Sequence, residues 1–204
     1  MRRFFIILAL SLLPLAGSAA DPVLRSFTAR ADTSLVSFSY SFQVPGQVTM
    51  KGSGIARVQG DSFFLSGNGI EVWCDGSERW TIDRQGREAV VEAVGQGGDF
   101  ATDPALLVAS VEEVFREVSS GKMLFGGKTC HGIVLAPKAD AGSVSGLKLY
   151  FSGERLCGLE VTVQDGTKTE FVISGISFSD RAAASAFKFD SASLDDSWVV
   201  TDFR

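Results

Sequence analysis

One histidine, three cysteines and the Glu112-Glu113 pair set the limits of the chemistry this chain can do. A Ser-His-Asp site would have to use His131, which sits between Cys130 and Gly132 in a strand-like run, and the chain contains no G-x-S-x-G elbow to present a serine. Zinc would need Cys130, His131 and distant ligands, because neither C-x-x-C nor H-x-x-x-H occurs. His131 is therefore expected to be a half-exposed strand residue. Glu112 and Glu113 are adjacent, and adjacent helix positions point about 100° apart, so only one of them could face a site. Gly95-Gln96-Gly97-Gly98 lacks the Lys-Ser/Thr of a phosphate-binding loop. With no convergent polar constellation, the chain is expected not to be an enzyme, to hold no metal and to use no cofactor.

Cys74, Cys130 and Cys157 are an odd set, so at most one intrachain disulfide can form. If the strands meander in order, the Leu147–Phe151 strand lies between those carrying Cys130 and Cys157. Two strand spacings, about 9 to 10 Å, then exceed the usual reach of a disulfide, about 7 Å. Buried structural thiols are expected instead.

The chain opens with Arg2-Arg3, an almost wholly apolar run from Phe4 to Leu15, and the small residues Ala16-Gly17-Ser18-Ala19-Ala20. That is the pattern of a secretory signal peptide over residues 1–20, too short for a bilayer span. No cysteine follows the expected cut, so no N-terminal lipid is expected on a soluble, exported domain of residues 21–204. Losing Arg2 and Arg3 changes the balance from 19 basic against 24 acidic to 17 against 24, which argues against a nucleic-acid partner. A hydrophobic share of 45%, with 16 Phe, suffices for a sizeable core or for a core and an apolar cavity.

The elements follow from periodicity. Asp21-Pro22 offers an N-cap and a first-turn proline, and Leu24, Phe27 and Ala31 recur at helical spacing, which predicts a helix over 21–32. From Leu35 the period becomes two, with Phe38, Tyr40 and Phe42 on one face and Ser37, Ser39 and Ser41 on the other. Turn clusters at Pro45-Gly46, Gly60-Asp61, Gly67-Asn68-Gly69, Asp75–Glu78 and Asp83–Gly86 make residues 35–94 an antiparallel meander. Between them Ile70, Val72, Trp73, Trp80 and Ile82 line one or both faces of a curved wall. Residues 103–118 predict an amphipathic helix, or two broken near Ser110, with Leu107, Val111, Val114 and Phe115 on one stripe. Strands resume at Met123–Phe125, Cys130–Leu135, Leu147–Phe151, Leu156–Val163 and Thr169–Phe178. Residues 181–186 read as a loop and Trp198–Phe203 as an edge strand. About ten or eleven strands with a helical insert predict a mainly β fold, an open antiparallel barrel or strongly curved sheet.

The order of several short motifs resembles the LolA family of periplasmic lipoprotein carriers. They are Asp75-Gly76-Ser77-Glu78-Arg79-Trp80 with the turn at Gln85-Gly86, Leu135-Ala136-Pro137-Lys138, Phe187-Lys188-Phe189 and Val200-Thr201-Asp202. The resemblance implies a half-open antiparallel β-barrel with short helices as a lid over an apolar cavity. Its wall would include Phe38, Tyr40, Phe42, Val72, Trp80, Ile82 and Phe151, and its lid Leu107, Val111, Val114 and Phe115. It further implies a monomer that shields lipoprotein acyl chains across the periplasm, between an inner-membrane exporter and an outer-membrane acceptor. The alternative on the same half-barrel is a periplasmic sensor or protein-interaction module, since fold does not fix function. Where the family carries an Arg-Pro that latches the lid, this chain has Gly60-Asp61.

Overall fold

The computed structural model describes residues 20–44, 49–94, 108, 111–138 and 142–204. The expected signal peptide up to residue 19, lid position Leu107 and the start of the expected 103–118 helix lie outside the described residues. The helix α1 (Pro22–Thr33) forms as expected: Asp21 caps it by accepting from the Val23 N–H at 2.9 Å, and proline occupies the first turn. Two meanders follow. The first comprises β1 (Leu35–Val44), β2 (Met50–Gln59), β3 (Ser62–Gly67), β4 (Ile70–Asp75), β5 (Glu78–Asp83) and β6 (Glu88–Ala93). A short helical turn, α2 (Val111–Val114), leads into the second: β7 (Phe115–Phe125), β8 (Lys128–Pro137), β9 (Val144–Ser152), β10 (Arg155–Val163) and β11 (Lys168–Ser179). Pairing of β1 with β11 stitches the meanders together. The last strand, β12 (Val199–Asp202), adds to the edge at β6 in parallel. The result is one 12-stranded open sheet in the order β12-β6-β5-β4-β3-β2-β1-β11-β10-β9-β8-β7.

Tight turns set the register of the meanders. At the β4–β5 turn Asp75 Oδ1 accepts from the N–H groups of Ser77 and Glu78, both at 2.9 Å, while Gly76 takes φ +91°, a region that L side chains avoid. Bulges at Ser37–Ser39, Glu117–Ser119, Leu156–Gly158 and Thr162–Val163 bend the longer strands.

Two expectations fail: residues 181–186, read as a loop, run into a 3-10 helical turn, Ala184–Phe187, that buries Phe187, and the middle helix is cut short. The helix predicted over 103–118 stops at Val114, and Phe115 opens the 11-residue strand β7. Pairing decides it: β8 offers partners from Lys128 to Pro137, and the Gly126-Gly127 turn, both residues at positive φ, returns the chain onto them. Helix propensity is a weak prior beside a full ladder of hydrogen bonds with a packed face. The Glu117–Ser119 bulge turns Val118 outward, 55% exposed.

Candidate functional site

Register divides the apolar side chains between two faces. In an antiparallel pair directly opposed residues share a face. Phe38 opposes Ala56, Ala56 opposes Leu65, and Leu65 opposes Val72, while Tyr40 and Phe42 continue the alternation along β1. Across the β1–β11 seam the same face carries Phe171, Leu159, Leu149 and Ile133, with Phe151 two residues further along β9. Five of the seven expected wall residues, Phe38, Tyr40, Phe42, Val72 and Phe151, therefore belong to one cluster. Trp80 and Ile82 do not. They pack with Trp73, Ala89 and Phe189 on the opposite face, where Leu194 and Trp198 of the C-terminal segment complete the cluster. The Trp80 and Phe189 rings are 5.1 Å apart. The sequence signal for this division was available in the turn lengths, which make Trp73 oppose Trp80 across a two-residue turn.

Two elements cover the first face. Helix α1 inserts Leu24 and Phe27, and Phe27 meets Phe151 edge-on at 5.6 Å and Phe178 at 6.0 Å. The Arg30 guanidinium lies 4.1 Å from the centre of the Phe178 ring. The second element is the joint between α2 and β7, in which Val111 and Phe115 are each 2% exposed and Val114 is half-buried against the same core. Three of the four expected lid residues thus face the first cluster, although Phe115 does so from a strand. Lys138, at the end of β8, holds this joint: its N–H donates to Val114 O at 2.8 Å and its Nζ to Glu112 O at 2.5 Å.

The N-terminal end of α1 is fixed by charged groups that the sequence reading did not connect. His131 Nε2 lies 2.8 Å from Asp21 Oδ2, and the Asp21 N–H donates to Glu117 Oε2 at 2.6 Å. Burial works to raise the Asp21 pKa, but hydrogen bonds from Ser120, His131 and the Val23 N–H outweigh it and hold the carboxyl below its ordinary value. Ser120 bonds to Asp21, an order of Ser-Asp-His. It is not the Ser-His-Asp relay that would take a proton from serine. His131 is a half-exposed strand residue that anchors a helix cap. Among the described residues no three His, Cys, Asp or Glu side chains cluster to hold a metal.

Between α1 and the α2–β7 joint lies a groove of about 380 Å³. Leu24, Val111, Phe115 and Leu135 make its apolar floor, and Glu112, Arg116, Glu117 and Lys138 stand around it. At the other end of β1 the first face is only half-covered. There Tyr40 stacks on Phe42 at 6.5 Å and Phe42 approaches Phe171 at 5.7 Å. Glycines make room for these rings: a Cβ at Gly52 would fall 2.4 Å from the Phe42 ring, and one at Gly54 would lie 2.7 Å from the Tyr40 hydroxyl. The aromatic strip thus lies down along β2 rather than standing away from the sheet.

No protein-family model matches the chain, and no curated protein matches it by sequence. Solved structures match by shape. An uncharacterised conserved protein from Thermus thermophilus aligns with a TM-score of 0.52 at 9% identity, over 88% of this chain and 96% of that one. This likeness shows a shared fold. A LolA superfamily protein, NE2245 from Nitrosomonas europaea, aligns with a TM-score of 0.44 at 10% identity over 81% of this chain and 97% of its own. MucB in the Pseudomonas aeruginosa MucA/MucB complex aligns with a TM-score of 0.36 at 8% identity over 83% of this chain and 60% of that chain.

Proposed function

We propose that this protein is an exported carrier that shelters an acyl chain against the covered face of its sheet. The observation that carries the reading is the groove of about 380 Å³ between the two small covering elements, lined by Leu24, Val111, Phe115 and Leu135. Its size falls at the low end of ligand sites, about 300 to 1,000 Å³. Entry of a longer chain requires α1 or the α2–β7 joint to move away from Phe151, Phe178 and Leu135, so these elements act as the lid. Val111, Val114 and Phe115 are its apolar side. Phe38, Tyr40, Phe42, Val72 and Phe151 are the wall along which the chain lies. In this reading residues 1–20 direct export and are removed, and the monomer works in the periplasm. The cargo is the acylated end of a lipoprotein, received from an inner-membrane exporter and passed to an outer-membrane acceptor.

A second reading, a periplasmic sensor or interaction module, has its own support in the outer edge of the sheet. Val199 and Val200 of β12 and the adjoining Phe203 are 63%, 49% and 61% exposed. An open strand edge with apolar side chains can accept a peptide as a further strand. Native mass spectrometry of protein purified from its own cells separates the two. The carrier reading predicts a bound mass of acyl-chain or lipopeptide size that organic solvent extracts. A bound peptide without acyl groups would favour the module.

A further inference from the structure

The sheet that was expected to keep Cys130 and Cys157 apart brings them together. Their sulfurs are 3.7 Å apart although β9 lies between β8 and β10. Two local features explain the approach. Leu156 opposes Phe151 and Gly158 opposes Tyr150, so Cys157 is the extra residue of a bulge and its side chain is re-aimed, with its thiol 3.1 Å from Tyr150 O. Cys130 lies one residue beyond the last β8–β9 pair, His131 with Phe151, where β9 is about to end at Ser152. Cys74 is elsewhere, 2% exposed in the core of the first face with its sulfur 3.5 Å from Asp61 O.

We propose that Cys130 and Cys157 are a redox site that closes to a disulfide, stapling β8 to β10 past the end of β9 and leaving Cys74 outside the bridge. The electron acceptor is a disulfide donor such as oxidised glutathione. One cysteine sulfur, as thiolate, attacks a donor sulfur and expels a glutathione thiolate. The second cysteine then displaces the other glutathione, so that two thiols and one donor disulfide become one protein disulfide and two glutathione thiols. The protein sulfurs must close from 3.7 Å to about 2.05 Å. Both positions adjoin turns, Cys130 the Gly126-Gly127 turn and Cys157 the turn containing Gly153, so backbone adjustment there disturbs few ladder bonds. Cys157 also borders a shallow groove of about 200 Å³ shared with Ser152, Arg155 and Ile173, which gives a small donor access. Burial, then the contact with Cys130, pushes the Cys157 thiol up to about 11, so closure at neutral pH is slow. The inference stands on the sulfur geometry and is independent of what the groove beneath α1 binds.

The test uses the full chain equilibrated in glutathione buffers from fully reduced to fully oxidised, quenched in acid and labelled under denaturing conditions with a maleimide of resolvable mass. Labelled thiols should fall from three to one as the buffer becomes oxidising, and from two to none in Cys74→Ser. Peptide mapping of the unsubstituted protein should recover Cys130 and Cys157 in one linked species. The oxidised form should melt roughly 5 to 10 °C above the reduced form. Three reactive thiols at every ratio, a link involving Cys74, or an oxidised form melting no higher would overturn the proposal.

Discussion

Replacing Phe27 with alanine tests whether α1 is a separable cover or an inseparable part of the core. The ring is 3% exposed and wedged between Phe151 and Phe178. Truncating a buried Phe to Ala costs about 3 to 5 kcal/mol. Where that cost falls is the informative part. Helix α1 has 12 residues, and an isolated helix of that length is marginal in water, so a detached α1 loses its hydrogen bonds as well as its packing. Strands β5 and β6 put Ile82, Ala89 and Trp80 into the cluster on the opposite face. If α1 opens on its own, Phe27→Ala should therefore speed amide exchange across residues 25–33 by up to roughly 10²- to 4 × 10³-fold, at about 1.4 kcal/mol per tenfold, and change exchange in β4–β6 by less than about threefold. Hydrogen exchange read by NMR or mass spectrometry resolves the two regions. Equal acceleration in α1 and β4–β6, with one lowered melting transition, would refute the separable cover. So would unchanged exchange in α1.

Three other perturbations examine the division of the molecule. Trp80→Ala should cost roughly 2 to 4 kcal/mol in urea unfolding by emptying the cluster around Phe189, yet leave lipopeptide affinity within twofold, because Trp80 lies on the face away from the groove; a tenfold affinity loss would put the ligand on the wrong face. Gly76→Val places a β-branched side chain at φ +91° and should cost roughly 1 to 3 kcal/mol with affinity again unchanged. Lost binding without lost stability would make the β4–β5 turn a contact site. Asp21 has a folded pKa below its ordinary 3.8, so its stabilising contribution is fully present above that value and disappears as pH falls through the folded value. Asp21→Asn should accordingly flatten the fall in urea midpoint on the acid side of about pH 4; an unchanged acid limb would remove Asp21 as the anchor of α1.

What was legible in the sequence follows from how local each signal is. The Asp21-Pro22 cap, the period-two run at Phe38-Tyr40-Phe42 and the Asp75-Gly76 turn are each complete within a few residues, and each appears in the fold as read. The β7 strand was not legible. Its residues 115–118 satisfy a helical stripe, and only the distant partner strand β8 overrides that spacing. The wall was half legible, since alternation groups residues within a strand while the face of Trp80 and Ile82 depends on the register of the three strands between them and Phe38. The Cys130–Cys157 approach and the Asp21–His131 pair were missed for a related reason. A bulge and a strand end, neither marked by a local residue pattern, bring the two cysteines together across 27 residues of chain, and the packing of the α1 cap against β8 brings Asp21 to His131 across 110.

The central claim is that acyl chains enter beneath α1 and the α2–β7 joint. It is tested most directly by amide exchange of residues 22–33 and 111–117, with and without a palmitoylated lipopeptide. A ligand shifts a lid only by contacting one of its positions better than the other. The account predicts that both segments in the empty protein are less protected than β3–β5, opening at a free energy below that of the whole domain, and that they gain clear added protection when the lipopeptide binds. Protection equal to that of β3–β5 in both states, or binding that leaves both segments unchanged, would contradict it.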